Sequence, residues 1–258
     1  CGGFDECIHI SEVDYVVEGE HAPLPQFPIT KPTPEDERIA ELIVERIPSG
    51  AAIQLGIGGM PNVVGSLLAQ SDLKDLGMHT ELCGDAYYEL FKAGKLNNSR
   101  KQVHPNKSVT GILFGSQDLY DWVDQNPSVI TAPLEYVNNP NLIGQNDNMV
   151  SINNCISMDL YGQVCAESAG LRHISGTGGQ LDYLIGASIS KGGKAFICMT
   201  STFMDKNGVR RSRIFPHFQG DIVTDPRSLA YFLVTECGIV NLAGRTTWER
   251  AEMLISIA

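Results

Sequence analysis

From residue 33 onward the chain alternates short apolar runs with amphipathic ones, and this alternation limits the fold more than any other feature. "AAIQLG" (51–56), "GMHTEL" (77–82), "SVTGILFG" (108–115) and "KAFICMT" (194–200) read as strands. "PNVVGSLLAQ" (61–70), "DAYYELFKAG" (85–94), "SQDLYDWVDQN" (116–126) and "GGQLDYLIGASIS" (178–190) read as helices. Strands joined through helices are crossover-connected and therefore parallel, so the expected fold is α/β: an open, mostly parallel sheet flanked by helices. Residues 149–168, "MVSINNCISMDLYGQVCAES", break the rhythm. They read as two strand runs around a "DLYGQ" turn, an antiparallel hairpin insertion.

Local signals set the boundaries. Strand-like "CIHISEVDYVVE" (7–18) is followed by "GEHAPLPQFPITKPTP" (19–34), whose five prolines and lack of periodicity mark an extended connector. A helix then starts with Thr33 as N-cap, Pro34 at its first position and acids in the first turn, with Ile39, Leu42, Ile43 and Ile47 on one face. Near the other end Thr246 and Glu249 are spaced as a capping box. The chain opens without Met inside a pattern and stops in the apolar run "ERAEMLISIA", so it is expected to be a piece of a longer protein. Residues 1–32 are expected to be the remnant of a preceding domain with its connector, and residues 33–258 the main domain.

Composition removes several functions. A net charge of -11 and a pI near 4.9 exclude a nucleic-acid partner, which needs a concentrated basic surface. The basic cluster "RRSR" (210–213) follows the turn signal "KNG" and is expected to be a solvated strand edge. The seven cysteines contain no C-x-x-C pair and the six histidines no H-x-x-x-H, so reduced thiols and no metal site are expected. No apolar run approaches the roughly 20 residues of a membrane span, and the first residues lack a secretion signal. A soluble, cytoplasmic protein is expected.

Three stretches could carry chemistry. The glycine loop "LGIGGMPN" (55–62) between strand and helix offers backbone N–H groups and a helix N-terminus to an anion or developing oxyanion. A dinucleotide site is the alternative there, because Glu81 lies 23 residues beyond Gly58, but Pro61 replaces the third glycine of that fingerprint. Glu81 itself stands near the end of an apolar strand, where α/β sheets face their ligand crevice. The third stretch, "ESAGLRHISGTGGQLDY" (167–183), is too glycine-rich for regular structure and runs into a helix, which implies another backbone-donor loop. His173 within it is either a general base or a solvated side chain.

"IQLGIGGMPN", "LGMHTE", "LYDWVDQNP", "YVNNPNLIGQNDNMVSIN", "SGTGGQLDYLIGASISKGGKA", "IVTDPR" and "YFLVTECGIVNLAGRTTWERA", in this order, resemble the acetyl-CoA hydrolase/transferase family, most of all its 4-hydroxybutyrate and butyrate CoA-transferases. The resemblance covers nearly the whole chain. It implies a CoA-transferase-like fold with Glu81 of "HTEL" as nucleophile. Ile57 and Gly58 of the "GIG" loop, with Gly170 of "AESAG", are implied as oxyanion and thioester contacts. Gly178, Gly179 and Gln180 are implied to line the CoA site, with Asn138 and Glu236 in support.

The implied reaction is a ping-pong transfer of CoA from an acyl-CoA to a short carboxylic acid through a glutamyl-CoA intermediate, with no bound cofactor. The implied partners are those two substrates, the preceding domain of the same protein and a second copy in a homo-oligomer. Residues 1–258 alone are expected to bind CoA poorly and to be inactive. A thioester hydrolase with the same residues and a non-catalytic CoA- or dinucleotide-binding module are the alternatives. One departure stands out: relatives commonly read S-D-G three residues after the glutamate, where this chain has Gly84-Asp85-Ala86.

Overall fold

The computed structural model describes residues 2–5, 7–26, 31–229 and 231–258. Cys1 and residues 27–30 of the expected connector lie outside the described residues. The other six cysteines are free thiols. In chain order the strands are β1 (Gly2–Gly3), β2 (Ala52–Leu55), β3 (Gly77–Cys83), β4 (Ser108–Leu113), β5 (Val129–Thr131), β6 (Met149–Asn154), β7 (Ser157–Asp159) and β8 (Val164–Cys165). They continue as β9 (Ser168–Ala169), β10 (Arg172–His173), β11 (Lys194–Cys198), β12 (Thr202–Met204), β13 (Arg210–Ser212), β14 (Ile214–Phe215), β15 (Phe232–Thr235) and β16 (Gly238–Asn241). The α-helices are α1 (Pro34–Val44), α2 (Gly59–Gln70), α3 (Asp85–Lys92), α4 (Gln117–Val123), α5 (Leu134–Val137), α6 (Pro140–Ile143), α7 (Gln180–Ile189) and α8 (Thr247–Ile255).

Among the described residues one nine-stranded sheet runs in the order β1-β5-β4-β3-β2-β6-β11-β15-β16. All neighbours are parallel except β15 and β16 at one edge. The chain moves outward from β2 through β3, β4 and β5, then returns to the opposite side of β2 to lay down β6, β11 and β15. Connections above β2 and β6 therefore leave in opposite directions, which opens a crevice at the carboxyl ends of these strands.

Alternation along each strand gives the sheet two apolar faces. Ile53 and Phe196 pack into one core with Ile39 and Ile43 of α1, Val64 and Leu68 of α2, and Leu90 of α3. Their neighbours Ala52 and Ile197 pack into the other, with Ile143, Tyr183, Leu184 and Leu254. The helix starts form as the sequence indicates. Thr33 and Thr246 cap α1 and α8, each within a complete capping box, and Pro34 opens α1. Arg210 and Arg211 are exposed on β13, which pairs antiparallel with β12.

Two expectations are corrected. Residues 149–154 are not part of a hairpin insertion. They are β6, parallel to β2 on one side and β11 on the other, with five of six residues buried. The antiparallel hairpin is only β7 with β8, joined by β14 in a separate three-stranded sheet. Residues 7–18 are not a strand. No strand pairing in the described residues involves them, Ile8, Tyr15 and Val17 are exposed, and the regular structure there is a 3-10 turn at Ile10–Glu12. A strand exists through its partner's hydrogen bonds, and an apolar pattern without one has no ladder to join. Among the described residues no helix is long and apolar enough to cross a membrane.

Candidate active site

The crevice is a cleft of about 370 Å³. Its walls are residues 54–57 at the end of β2 and just beyond, Glu81 and Leu82 on β3, and residues 153–156 at the end of β6 and just beyond, with Ala166 and residues 175–180 closing over them. Its width has a cause in β2. That strand pairs with β3 only at Ala52↔Gly77 and Ile53↔Met78. Beyond that point the buried Tyr87 hydroxyl takes the place of β3: it accepts from the Leu55 N–H at 2.8 Å and donates to the Ile53 carbonyl at 3.3 Å. The strands part without leaving a buried donor unpaired.

Glu81 sits half-buried in β3, its carbonyl accepting from the Thr110 hydroxyl at 3.1 Å. Its Oε2 accepts two hydrogen bonds, from the Gly179 N–H at 2.8 Å and from Asn138 Nδ2 at 3.0 Å. No donor among the described residues bonds Oε1. One carboxylate oxygen is thus held while the other faces the cleft. Gly179 is the N-cap of α7, so the partial positive charge of that helix also falls on the carboxylate. A Cβ on Gly179 would collide with Glu81 Oε2 and come within 2.5 Å of Asn138 Nδ2, so only glycine permits this approach. Asp182, in the first turn of α7, is pushed up by burial and then by the Glu81 charge.

The scaffold behind Glu81 is also polar. His79, two residues back on the same face of β3, is buried and bonds the Val137 carbonyl through Nε2 at 2.9 Å. Burial first, then the charge of Lys101, lowers it to about 3, so the ring is neutral and Nε2 carries the proton it donates. The same α5 end therefore meets β3 twice, through the Val137 carbonyl and through the side chain of Asn138.

Ile57 lies in the opposite cleft wall, and Gly58, next to it but not in the wall, caps α2 with φ 131°, a conformation that favours glycine. Their N–H groups have no acceptor among the described residues. Gly178, with φ 56°, and Gln180 line the cleft beside Gly179, so the structure brings Glu81, Asn138, Ile57, Gly178, Gly179 and Gln180 together and leaves Gly58 just behind Ile57, outside the wall. It does not bring Gly170, whose N–H donates to the Asp221 carboxylate at 3.0 Å outside the cleft wall. Nor does Glu236 reach the wall. Its carboxylate accepts from the Ser201 N–H at 2.8 Å and the Ser201 hydroxyl at 2.7 Å, which fixes the turn after β11. His173 is exposed on β10 and outside the cleft.

Residues the sequence reading missed form the cleft floor. Gln54 Nε2 donates to Asn153 Oδ1 at 3.0 Å, and Gln54 Oε1 accepts from Asn153 Nδ2 at 3.0 Å and from Ser151 at 2.7 Å. This network locks β2 to β6. Asn154 follows, with Oδ1 accepting from the Cys198 thiol at 3.2 Å and Nδ2 close beside Gly58. The available signal was the pair "NN" ending an apolar run. In the Gly84-Asp85-Ala86 departure, Asp85 opens α3 and accepts from the Ser116 hydroxyl at 2.6 Å and N–H at 3.0 Å, tying α3 to the cap of α4. Among the described residues no group of three His, Cys, Asp or Glu is placed to hold a metal ion.

The acetyl-CoA hydrolase/transferase C-terminal domain matches residues 115–258. The chain is 53% identical over 258 residues to a probable butyrate:acetyl-CoA coenzyme A-transferase of Syntrophomonas wolfei, covering 100% of this chain and 58% of that protein. It is 47% identical to a 4-hydroxybutyrate coenzyme A transferase of Clostridium kluyveri, covering 98% of this chain and 58% of that protein. The crystal structure of RipA from Yersinia pestis superposes with a TM-score of 0.91 at 39% identity, over 100% of this chain and 57% of that one. The chain thus spans about 58% of the length of the curated relatives it matches.

Proposed function

The chain belongs to the acetyl-CoA hydrolase/transferase family, and on that premise we propose that the whole protein is a CoA-transferase. It moves CoA between a short-chain acyl-CoA, butyryl or 4-hydroxybutyryl, and a carboxylic acid such as acetate, the chemistry in the names of its relatives. Residues 33–258 act as the catalytic part and residues 1–32 as the link to a preceding domain, in keeping with the greater length of those relatives. The observation that carries the reading is the asymmetric Glu81 carboxylate, with Oε2 held by two donors and Oε1 open to the cleft.

In this mechanism Oε1 attacks the thioester carbonyl, the C–S bond breaks, and CoA leaves as thiolate. The product on the protein is a mixed anhydride. The thiolate then attacks the Glu81 carbonyl carbon, the C–O bond breaks, and the first acid departs to leave a glutamyl-CoA thioester. A second carboxylate reverses both steps. When the Glu81 carbonyl becomes tetrahedral its charge falls on Oε2, where Gly179 and Asn138 already donate. Preorganised donors of this kind are worth about 3 kcal/mol each. The unused N–H of Ile57 on the opposite wall, with that of Gly58 next to it, is available for the acyl oxygen.

Recapture by thiolate must outrun water, which the effective concentration of CoA held beside Glu81 accomplishes. Steady-state kinetics of the whole protein test the reading. Beyond one equivalent per active site, butyryl-CoA should be consumed only when acetate is present, with parallel double-reciprocal lines. Rapid consumption without an acceptor would make the protein a hydrolase, and binding without turnover would make it a carrier.

A further inference from the structure

Gly179 must present its N–H to Glu81, yet the segment leading to it has little packing. Residues 171–178 are exposed throughout. What restrains the segment lies outside the cleft. At its start the Glu167 carbonyl accepts from the Ile174 N–H at 2.8 Å and the Ser175 N–H at 3.3 Å. At its end Gln180, the first residue of α7, donates from Nε2 to Asp225 Oδ2 at 2.6 Å.

Asp225 is fully buried and firmly seated. Its N–H and that of Thr224 both donate to the Val164 carbonyl of β8, at 3.2 and 2.8 Å, and the Thr224 hydroxyl accepts from the Ala166 N–H at 2.9 Å. Its other oxygen, Oδ1, is buried without a donor, and so is Oε2 of the neighbouring Glu167. Burial, then the Glu167 charge, raises Asp225 to about 6 against the opposing bond from Gln180. Asparagine would also accept from Gln180, through a weaker bond and without burying a charge.

We propose that Asp225 is a positioning residue for the reaction: through Gln180 it fixes the first turn of α7 and thereby holds the Gly179 N–H against Glu81. The inference rests on the transferase reading above. Asp225 is not in the cleft wall, and its side chain reaches Glu81 through the α7 N-terminus. The link is short. Gln180 follows Gly179 directly, and a shift of Gly179 by a fraction of its 2.8 Å bond weakens the donor that faces the glutamyl oxygen.

The test uses the whole protein, wild type and carrying Asp225→Ala, Asp225→Asn, Gln180→Ala or the Asp225→Ala/Gln180→Ala pair, with butyryl-CoA and acetate. Asp225→Ala should lower kcat roughly tenfold to a hundredfold, the scale of a misplaced catalytic group, with KM for butyryl-CoA within about threefold of wild type. Asp225→Asn, which keeps an acceptor for Gln180, should restore kcat to within about threefold of wild type. The double variant should be no slower than the slower single variant, since both break one link. Should Asp225→Ala not fold, Gln180→Ala breaks the same link from a half-buried position, and its kcat should fall by the same factor.

A kcat within about twofold of wild type in either alanine variant would overturn the inference, as would equal damage from Asp225→Asn or multiplicative losses in the pair. An inactive wild type would overturn the transferase reading first and this inference with it. Altered variants of an active wild type bear on Asp225 alone.

Discussion

At the scale of single residues the site turns on the absence of a side chain at Gly179. Its φ of −89° is open to any residue, so backbone strain does not require glycine there. Contact does, because a Cβ would occupy the place of Glu81 Oε2 and crowd Asn138. Gly179→Ala is therefore expected to displace the nucleophile by a fraction of an ångström to about 1 Å and to lower kcat by up to about a hundredfold. The melting temperature should move little. Kinetics paired with thermal denaturation check this, and unchanged kcat would show that Glu81 is not held as described. Glu81 was legible in the sequence because an acid near the end of an apolar strand is anomalous. Asn138 became a candidate only through family resemblance, since it approaches Glu81 across 57 residues of sequence. Gln54 was not legible at all, and Asn153 and Asn154 left only the pair "NN" at the end of an apolar run. Gln54 and Asn153 satisfy one another across two strands and Asn154 accepts from Cys198 on a third, and strand adjacency is a property of topology rather than of local pattern.

At the scale of elements the decisive feature is the parting of β2 from β3, which Tyr87 of α3 makes possible. Tyr87→Phe removes the acceptor of the Leu55 N–H and leaves a buried donor unpaired, a loss of about 1–3 kcal/mol. Denaturant unfolding should register that loss with little change in the slope, and a loss below about 0.5 kcal/mol would mean the strands are held apart by other contacts. The alternating pattern of strands and helices predicted four of the nine strands of the sheet, β2, β3, β4 and β11. It failed at β6 for a physical reason. A strand buried on both faces carries no period-two signature, and the serine and first asparagine of "VSINN", which pair with Gln54, look like the polar face of a hairpin. Residues 7–18 failed in the opposite sense, showing a strand-like pattern without a partner strand.

At the scale of the whole molecule, two buried groups set opposing pH dependences. His79 is lowered from 6.5 to about 3, so between those values the unfolded chain binds the proton and stability falls as pH falls from 6.5 towards 3. Asp225 is raised from 3.8 to about 6, so between those values the folded chain binds the proton and stability rises as pH falls from 6 towards 4. Asp225→Asn removes only the second effect. The variant should be more stable than wild type at pH 7 by roughly 2–3 kcal/mol from the lost buried charge, less about 1 kcal/mol for a weaker bond to Gln180. It should also lose stability more steeply on acidification from pH 6 to 4. Denaturant curves at four pH values check this, and parallel pH profiles for the two proteins would contradict it. The central claim, that Glu81 carries the acyl group and then CoA, is tested most directly by trapping. The whole protein is incubated with acyl-CoA in the absence of acceptor, treated with borohydride, digested and analysed by mass spectrometry. The account predicts reduction of a glutamyl thioester to the alcohol on the peptide containing "GMHTELCGDAYY" and nowhere else, with Glu81→Gln lacking both the modification and turnover while remaining folded. Modification of Glu167 or Glu236 instead, or turnover by Glu81→Gln without any modified peptide, would contradict it.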